Sequence, residues 1–273
     1  MPNKFTYYAA RALIGVAMVL TVAACATAPS SDDPEAMAAY KEANDPIEPV
    51  NRAIFAFNKG VDKAVLKPVA QAYRGVLPQA VRDSVRNFLR NLQTPVIMAN
   101  EFLQGRPDRA METFGRFTAN TMWGVGGLFD VIPDKPHHTE DLGQTLAVWG
   151  VGEGPYLVLP IIGPSSARHT VGRVGDYFMD PINYWATHEG HDWIPITRTA
   201  VGAIDARSRV IETLDEIERT SIDFYAAIRS LYRQQRADLI RNGAPSAESP
   251  LPDISSDFED DDGKDRISAL EHG

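Results

Sequence analysis

The sequence predicts a mainly α-helical protein whose helices are joined by irregular, apolar segments rich in glycine and proline. Three observations support this fold class. In several stretches apolar residues recur every three or four positions, as on one face of a helix. The segments WGVGGLFDVIPDKP and LAVWGVGEGPYLVLPIIGP fit neither a helical nor a strand period. Finally, 44% of the residues are hydrophobic, which is enough for a folded core and argues against general disorder.

The N-terminal 24 residues have the layout of a secretory signal peptide. Lys4 and Arg11 give a basic start, Leu13 to Val22 is uncharged and largely apolar, and Ala23 and Ala24 are small. The apolar run is shorter than the ~20 residues that a membrane-spanning helix requires. We therefore expect cleavage after residue 24.

Cys25, the single cysteine, directly follows the predicted signal. A lone cysteine cannot form an internal disulfide, and the sequence V-A-A-C resembles the lipobox of bacterial lipoproteins. In that class the cysteine becomes the N-terminus and carries a diacylglycerol and a further acyl chain such as palmitate. Two or more chains anchor a protein firmly, since burial of each CH2 contributes ~0.8 kcal/mol. The alternative is a buried cysteine that packs as a small hydrophobe.

The remaining chain divides into a folded body between two polar segments. Residues 25–44 are expected to form a lipidated N-terminus and linker, residues 45–243 the folded domain, and residues 244–273 an acidic disordered tail. Loss of Lys4 and Arg11 with the signal takes the net charge from −9 to −11. Nucleic acid is excluded as a partner because no cluster of Lys and Arg is present to contact phosphates.

The helices of the body are predicted from apolar stripes and from proline and glycine at their ends. Asp45 and Pro46 are expected to open the first helix, as capping residue and first helical residue. The expected stripes and boundaries are Val50, Ile54, Phe57, Val61 and Val65 in the first helix, Val81 to Leu92 after Pro78 in the second, then Pro95 to Leu103, and Pro107 to Trp123. Gly105 is placed to end the helix before it.

The last predicted helix has the most regular stripe and runs from Arg207 onward. Its apolar positions alternate steps of three and four: Val210, Leu214, Ile217, Ser221, Phe224, Ile228 and Leu231. Such a stripe usually packs on the protein's own core. A narrow seam also suits contact with a partner protein, and both interpretations stay open.

The apolar middle of the chain indicates contact with a membrane. In water, so much Leu, Ile, Phe and Trp on irregular backbone would have to be buried, and buried backbone amides and carbonyls need partners. Against a bilayer, the same side chains can lie in lipid.

Several polar clusters resemble catalytic or metal sites only superficially. Ser165 in GPSSA could be drawn into a hydrolase triad with Asp176 or Asp180 and His188 or His191, but Ala167 stands where a nucleophile elbow has Gly. A helix cap is the simpler interpretation. HEGHD lacks the H-E-x-x-H spacing of a zinc site, GVGEG lacks the strand and helix of a phosphate loop, and His137-His138 with Glu140-Asp141 are expected in a solvated loop. We predict no catalytic residue, no metal and no cofactor.

Four segments resemble the MlaA (VacJ) family of outer-membrane lipoproteins. They are NDPIEPVNRAIFAFN, NLQTPVIMANEFLQGRPDRA, RFTANTMWGVGGLFDVIP and EDLGQTLAVWGVGEGPYLVLPIIGPSSARHTVGRVGDYFMDP. The likeness extends from Asp45 to about Asn242, with the motifs in order.

The resemblance implies a compact helical ring embedded in the periplasmic leaflet of the outer membrane, anchored by lipid. An amphipathic channel would pass through the ring, and trimeric porins would associate with it. Such proteins remove mislocalised phospholipids from the outer leaflet and deliver them to the periplasmic carrier MlaC, which maintains lipid asymmetry. Ala26, where Asp would favour the inner membrane, agrees with an outer-membrane location.

Within the family-like segments, polar residues beside apolar ones are candidates for the channel wall. They are Arg116, Asn120, Arg168, Arg173 and Asp176; ordinary surface exposure would explain each equally well. Gly126, Gly127, Leu128 and Phe129 are candidates for a mobile apolar gate, with a static loop resting on the membrane as the alternative.

Two other classes of function remain open at this point. One is a lipoprotein phospholipase or esterase using Ser165, and the other is a non-catalytic envelope adaptor.

Overall fold

The computed structural model describes residues 43–134 and 137–242, together with residues 37 and 40. The predicted signal peptide, Cys25, most of the linker and the acidic tail lie outside the described residues. The body is mainly α-helical, as predicted. Its helices are α1 Glu48–Val61, α2 Lys67–Val76, α3 Gln79–Leu103, α4 Pro107–Met122, α5 Leu142–Val148, α6 Ala167–Met179, α7 Pro181–His188, α8 Trp193–Arg209, α9 Ile211–Thr220 and α10 Phe224–Arg241; a π-helical turn, Asp62–Leu66, joins α1 to α2.

Asp45 does not cap the first helix, which begins at Glu48. Its carboxylate is buried instead. It accepts hydrogen bonds from Asn51 Nδ2 at 2.7 Å, from Arg229 at 2.9 Å and from the hydroxyl of Tyr225. The predicted capping residue therefore ties the start of α1 to α10.

Pro95 does not start a helix, because α3 runs through it without a break. A proline inside a helix removes one backbone hydrogen bond and commonly costs ~3 kcal/mol. Packing of α3 against α4, α5 and α8 offsets this cost. The predicted end of α3 is confirmed, since Gly105 follows it with φ of +74°.

The predicted C-terminal helix is three helices. α8 ends at Arg209, α9 follows Val210, and Asp223 begins α10 by accepting a hydrogen bond from Ala226 N. The same Asp223 carboxylate binds Arg52 of α1 at 2.5 Å. A tertiary contact thus fixes the position of the break.

A short β-hairpin lies in the apolar middle, where no strand was predicted. β1 Tyr156–Leu159 pairs antiparallel with β2 Gly163–Ser166. The outer edge of β1 is covered by two asparagines of α1. Asn51 donates to Tyr156 O and accepts from Val158 N, and Asn58 donates to Leu159 O and accepts from Ile161 N. Each carboxamide thereby replaces a peptide group of a third strand.

An ion-pair ladder joins the first helices to α9. In it the basic residues of α1, the π-helical turn and α2 face the acidic residues of α9. Its pairs are Lys59–Glu218, Lys63–Glu218, Lys67–Asp215 and Arg74–Glu212, all between 2.6 and 2.8 Å. Arg207 adds a bidentate bond to Asp62 at the π-helical turn.

Among the residues that the structure describes, the buried ones are more often polar than hydrophobic. A small aromatic cluster forms around Tyr156, Val158 and Tyr225. The largest fully buried side chains are Tyr156, Gln144, Glu101, Asn51, Asn100, Thr145, Ser165 and Ser208. In the part of the chain that the structure describes, no helix combines the length and apolar character needed to cross a bilayer.

Candidate functional site

Helix α4 exposes apolar residues on one side, next to the exposed Asp108 and Glu112, and turns Arg116 and Asn120 toward the protein. Met111, Phe114 and Met122 are exposed, with Met122 at 69%. On the opposite side, Arg116 and Asn120 lie four residues apart and are half-buried. A helix on the surface of a water-soluble protein has the reverse arrangement.

Helix α6 is arranged in the same way. Its outward residues Val171, Val174 and Phe178 are exposed by 56–62%. His169, Gly172 and Asp176 recur at the same spacing on the inner side. Gly172 is required there, because a Cβ at this position would lie 2.3 Å from Gly143 N of α5. We call the exposed apolar faces of α4 and α6 the apolar shell.

The loops next to these helices extend the exposed apolar surface. Trp123, Val125, Phe129, Trp149, Ile161 and Ile162 are all exposed. Large apolar patches on a protein surface mark contact with another protein or with a membrane. The apolar middle is therefore divided: Trp149, Ile161 and Ile162 are exposed, whereas Tyr156 and Val158 are buried in the core.

Arg116 and Asn120 hold the segment after α4 through one carboxylate. Arg116 Nη2 donates to Asp130 Oδ2 at 2.8 Å, and Asn120 Nδ2 donates to Asp130 Oδ1 at 3.2 Å. Asn120 Oδ1 also accepts from Val131 N at 3.0 Å. The two channel candidates therefore form one polar network with Asp130.

The candidate gate residues form a tight hydrogen-bonded turn at the end of α4. Gly126 N donates to Thr121 O, and Gly127 N donates to Asn120 O at 2.8 Å. Gly126 has φ of +71° and Gly127 has φ of +93°, a region that favours glycine. Gly127 is buried against Asn91, Leu128 is half-buried and Phe129 is exposed. The turn presents one aromatic ring outward on a backbone that needs glycine.

A small polar cleft lies between α3, α4 and the segment that follows the gate turn. It is lined by Asn87, Arg90, Asn91, Thr94, Arg116, Phe117, Asn120, Asp130 and His137. Burial, followed by the charges of Arg90 and Arg116, lowers the pKa of His137 to about 3. The imidazole is therefore neutral at physiological pH, and the two arginines make the cleft electropositive.

The three channel candidates of α6 lie in different surroundings. Arg168 donates to Val151 O at 2.7 Å. Arg173 is exposed, yet the protein around it displaces enough water to lower the pKa of its guanidinium. Asp176 accepts hydrogen bonds from Asn100 Nδ2 and Leu142 N, both at 3.0 Å.

Asp141, the N-cap residue of α5, forms an ion pair with Arg236 of α10. The two N–O distances are 2.6 and 3.0 Å, and the Arg236 side chain is 9% exposed. Burial raises the pKa of Asp141, but Arg236 and the hydrogen bond from Gln144 N outweigh it and leave the pKa at about 2. For nearby Asp176, burial outweighs its hydrogen bonds and raises the pKa to about 6.

Known proteins resemble the chain over this entire body. A model of the MlaA lipoprotein family matches residues 43–239. The intermembrane phospholipid transport system lipoprotein MlaA of Escherichia coli is 36% identical over 229 residues, which cover 80% of this chain and 88% of that protein. An uncharacterized protein of Rickettsia felis is 39% identical over 202 residues, which cover 72% of this chain and 79% of that protein.

The chain belongs to the MlaA lipoprotein family. A solved chain described as the structural basis for maintenance of bacterial outer membrane lipid asymmetry has a TM-score of 0.65 and 34% identity, and the match covers 72% of this chain and 98% of that one. The resemblance predicted from the sequence is confirmed.

In this MlaA-family protein the suggested hydrolase triad is not assembled among the described residues. Ser165 is fully buried, and its hydroxyl lies 3.0 Å from Thr170 Oγ1. Asp180 caps α7 and binds Arg198, while His188 stacks on Tyr184. Ser166 caps α6 by accepting from His169 N, which confirms the simpler interpretation of GPSSA.

The prediction that residues 137–141 form a solvated loop is wrong. His138 Nε2 lies 2.5 Å from Glu101 Oε1, and Glu101 is fully buried. Glu140 is also buried; it accepts a hydrogen bond from Gln104, and Arg109 lies within 4 Å of both carboxylates. Burial raises the pKa of Glu140. No periodic signal marks this cluster, because Glu101 is 37 residues from His138.

Proposed function

We propose that this MlaA-family protein carries phospholipids from the outer leaflet of the outer membrane to a periplasmic carrier. The observation that supports it best is the arrangement of α4 and α6, with hydrocarbon side chains outward and polar side chains inward. Hydrocarbon side chains on the outside are stable in contact with lipid, and polar side chains on the inside can form hydrogen bonds with a lipid headgroup.

The energetic reason is the cost of moving a charged headgroup through hydrocarbon. An unpaired charge in an apolar medium is strongly disfavoured. Arg116, Asn120 and Arg173, beside the apolar shell, would supply polar contacts along the path while acyl chains stay in lipid. The transfer breaks no bond, so the proposal assigns no catalytic residue.

The turn with Gly126 and Gly127 would serve as the gate of this path. Its network to Asp130 holds it closed, and Phe129 would contact acyl chains. Gly126→Ala tests backbone motion, because no atom lies within 4 Å of the added Cβ and only the positive φ opposes it. Gly190→Ala is the matched control, with φ of +75° and equally open space at the end of α7. Slower lipid removal for Gly126→Ala alone supports the gate, and equal rates contradict it.

The protein would be held at the periplasmic face of the outer membrane by acylated Cys25. A porin trimer would position it, and the carrier MlaC would accept the lipid. α9 and α10, which contain the predicted seam from Val210 to Leu231, are the proposed contact for porin or carrier.

The decisive experiment measures phospholipid in the outer leaflet of intact cells. Cells without the protein should accumulate it, and the wild-type chain should restore asymmetry. Cys25→Ala should fail to restore it when protein levels are matched. Normal asymmetry in cells that lack the protein would contradict transport, and full rescue by Cys25→Ala would contradict the lipid anchor.

A further inference from the structure

Asp130 occupies the hydrogen-bond donors of the polar cleft. Its two carboxylate oxygens accept from different side chains of α4, Oδ2 from Arg116 and Oδ1 from Asn120. It is the single acidic residue among those that line the cleft. A carboxylate and a phosphate offer the same pattern of paired oxygens to a guanidinium. Asp130 therefore fills a place that a phosphate group would fill.

The other residues of the cleft also suit an anion. Arg90, Asn87 and Asn91 line it together with Arg116 and Asn120. His137 Nε2 is buried and has no hydrogen-bond partner among the described residues. Asn91 Nδ2 already donates to Thr121 Oγ1 at 3.0 Å, so Arg116 and Asn120 are the donors that an anion in place of Asp130 would meet.

The groups that hold Asp130 also hold the backbone after the gate turn. Val131 N donates to Asn120 Oδ1 at 3.0 Å, and Ile132 N donates to Asp130 Oδ1 at 3.2 Å. Arg116 Nη1 lies 3.4 Å from Ile132 O. If another anion displaced Asp130 from Arg116 and Asn120, residues 130–132 would lose the carboxylate contacts to α4 and keep only those of Val131 N and Ile132 O.

We propose that the cleft binds the phosphodiester of a phospholipid headgroup, and that Asp130 is a built-in competitor which the phosphate displaces, releasing residues 130–132. This proposal rests on the proposed function. It names the residues that bind the lipid headgroup and the event that opens the gate turn. The lipid itself opens the gate turn by replacing the carboxylate that closes it.

Opposite effects of two substitutions in one ion pair test the proposal. Full-length protein in nonionic detergent is titrated with dihexanoyl phosphatidylglycerol. Asp130→Asn removes the competitor and should tighten binding at least tenfold. Arg116→Gln removes the donor and should weaken it at least tenfold. If both variants lose binding to the same extent, the pair is merely structural and the proposal is wrong. Asp108→Asn, an exposed residue on the same helix, should bind like the wild type.

Two further probes distinguish the source of the phosphate. Dihexanoylglycerol lacks the phosphate and should not bind the cleft; equal binding would overturn a phosphate site. Inorganic phosphate should compete only at much higher concentration than the lipid. Competition at equal concentration would indicate a site for free anions and overturn the lipid assignment.

Hydrogen exchange in the wild-type protein gives a test that does not depend on folding of the variants. Saturating dihexanoyl phosphatidylglycerol should accelerate exchange of the Val131 and Ile132 amides at least fivefold, while amides of α10 stay unchanged. Unaltered exchange at both amides would refute displacement of Asp130. This failure is distinct from failure of transport, which is read from outer-leaflet phospholipid in cells.

Discussion

The apolar shell and the ion-pair ladder hold their charged groups at different depths. In the shell, α4 and α6 expose Phe114, Val174 and Phe178, and Arg116 and Asp176, which bind neighbouring elements, are half-buried. In the ladder, the bonded charged residues lie at the surface, with Lys63 53% and Glu212 68% exposed. α1 and α2 also expose Phe57 and Val76, so exposure of apolar residues alone does not separate the two regions. The depth of the bonded charges does, and it is the basis for proposing lipid contact for the shell.

The largest effect is expected from removing an inward charge. Asp141→Ala leaves Arg236 buried without its carboxylate, which should cost about 3–5 kcal/mol of unfolding free energy. Urea denaturation in detergent measures it. A cost below about 1 kcal/mol, the range of surface pairs, would remove the distinction between the two regions.

Next in size is a charge placed on the shell. Val174→Lys in the Cys25→Ala background should lower vesicle partitioning by about 2.5–3.5 kcal/mol, or roughly 100-fold. Val76→Lys in the ladder region is the control, since Val76 is 76% exposed and should tolerate lysine. Co-sedimentation with vesicles measures the partition coefficient of each variant. Equal losses for both variants would mean that the shell has no special contact with lipid.

A smaller effect concerns pH, because the protein shifts the pKa values of two carboxylates, Asp176 and Asp141, in opposite directions. The pKa of Asp176 is raised to about 6, above its ordinary value of about 3.9. Protonation therefore favours the folded state, and this contribution to stability grows as pH falls from about 6 to about 4. The pKa of Asp141 is lowered to about 2, so its contribution is present above pH 4 and is lost as pH falls toward 2.

Asp176→Asn isolates the first of these contributions. The variant should show a flatter dependence of unfolding free energy on pH between 4 and 6, with the decline below pH 4 retained. Denaturation series at pH 7, 5 and 3 measure both. An unchanged slope between pH 4 and 6 would show that Asp176 is not the titrating group.

The smallest effect is expected in the ladder. Glu218→Gln removes the carboxylate shared by Lys59 and Lys63, and exposed pairs contribute about 0.2–1 kcal/mol. The loss should shrink further at high salt. Thermal denaturation at low and high ionic strength checks this, and a loss above 2 kcal/mol would place the ladder in a water-poor environment.

The sequence predicted those features that depend on neighbouring residues. Apolar spacing located α1, α3 and α4 but not α2, and Gly105 marked the end of α3 correctly. Other features depend on distant contacts. Pro95 stays inside α3 because of packing, and Asp223 breaks the last helix because it binds Arg52 of α1. The buried positions after that break begin at Tyr225, not at Phe224 of the predicted stripe.

The polar residues of the cleft were predictable only in part. Arg116 and Asn120 were named as polar residues four apart in a family-like segment, and their role in a channel stays a prediction. Asp130, which both of them bind, was not singled out, since no periodicity links a loop residue to a helix. The buried cluster of Glu101, His138 and Glu140 was missed for the same reason.

Asn51 and Asn58 have a consequence for encounters between copies of the protein. Open strand edges recruit strands from neighbouring molecules. With two carboxamides occupying the free side of β1, this strand cannot pair with a foreign one. A pair of side chains on one helix thus protects this edge from templated self-association.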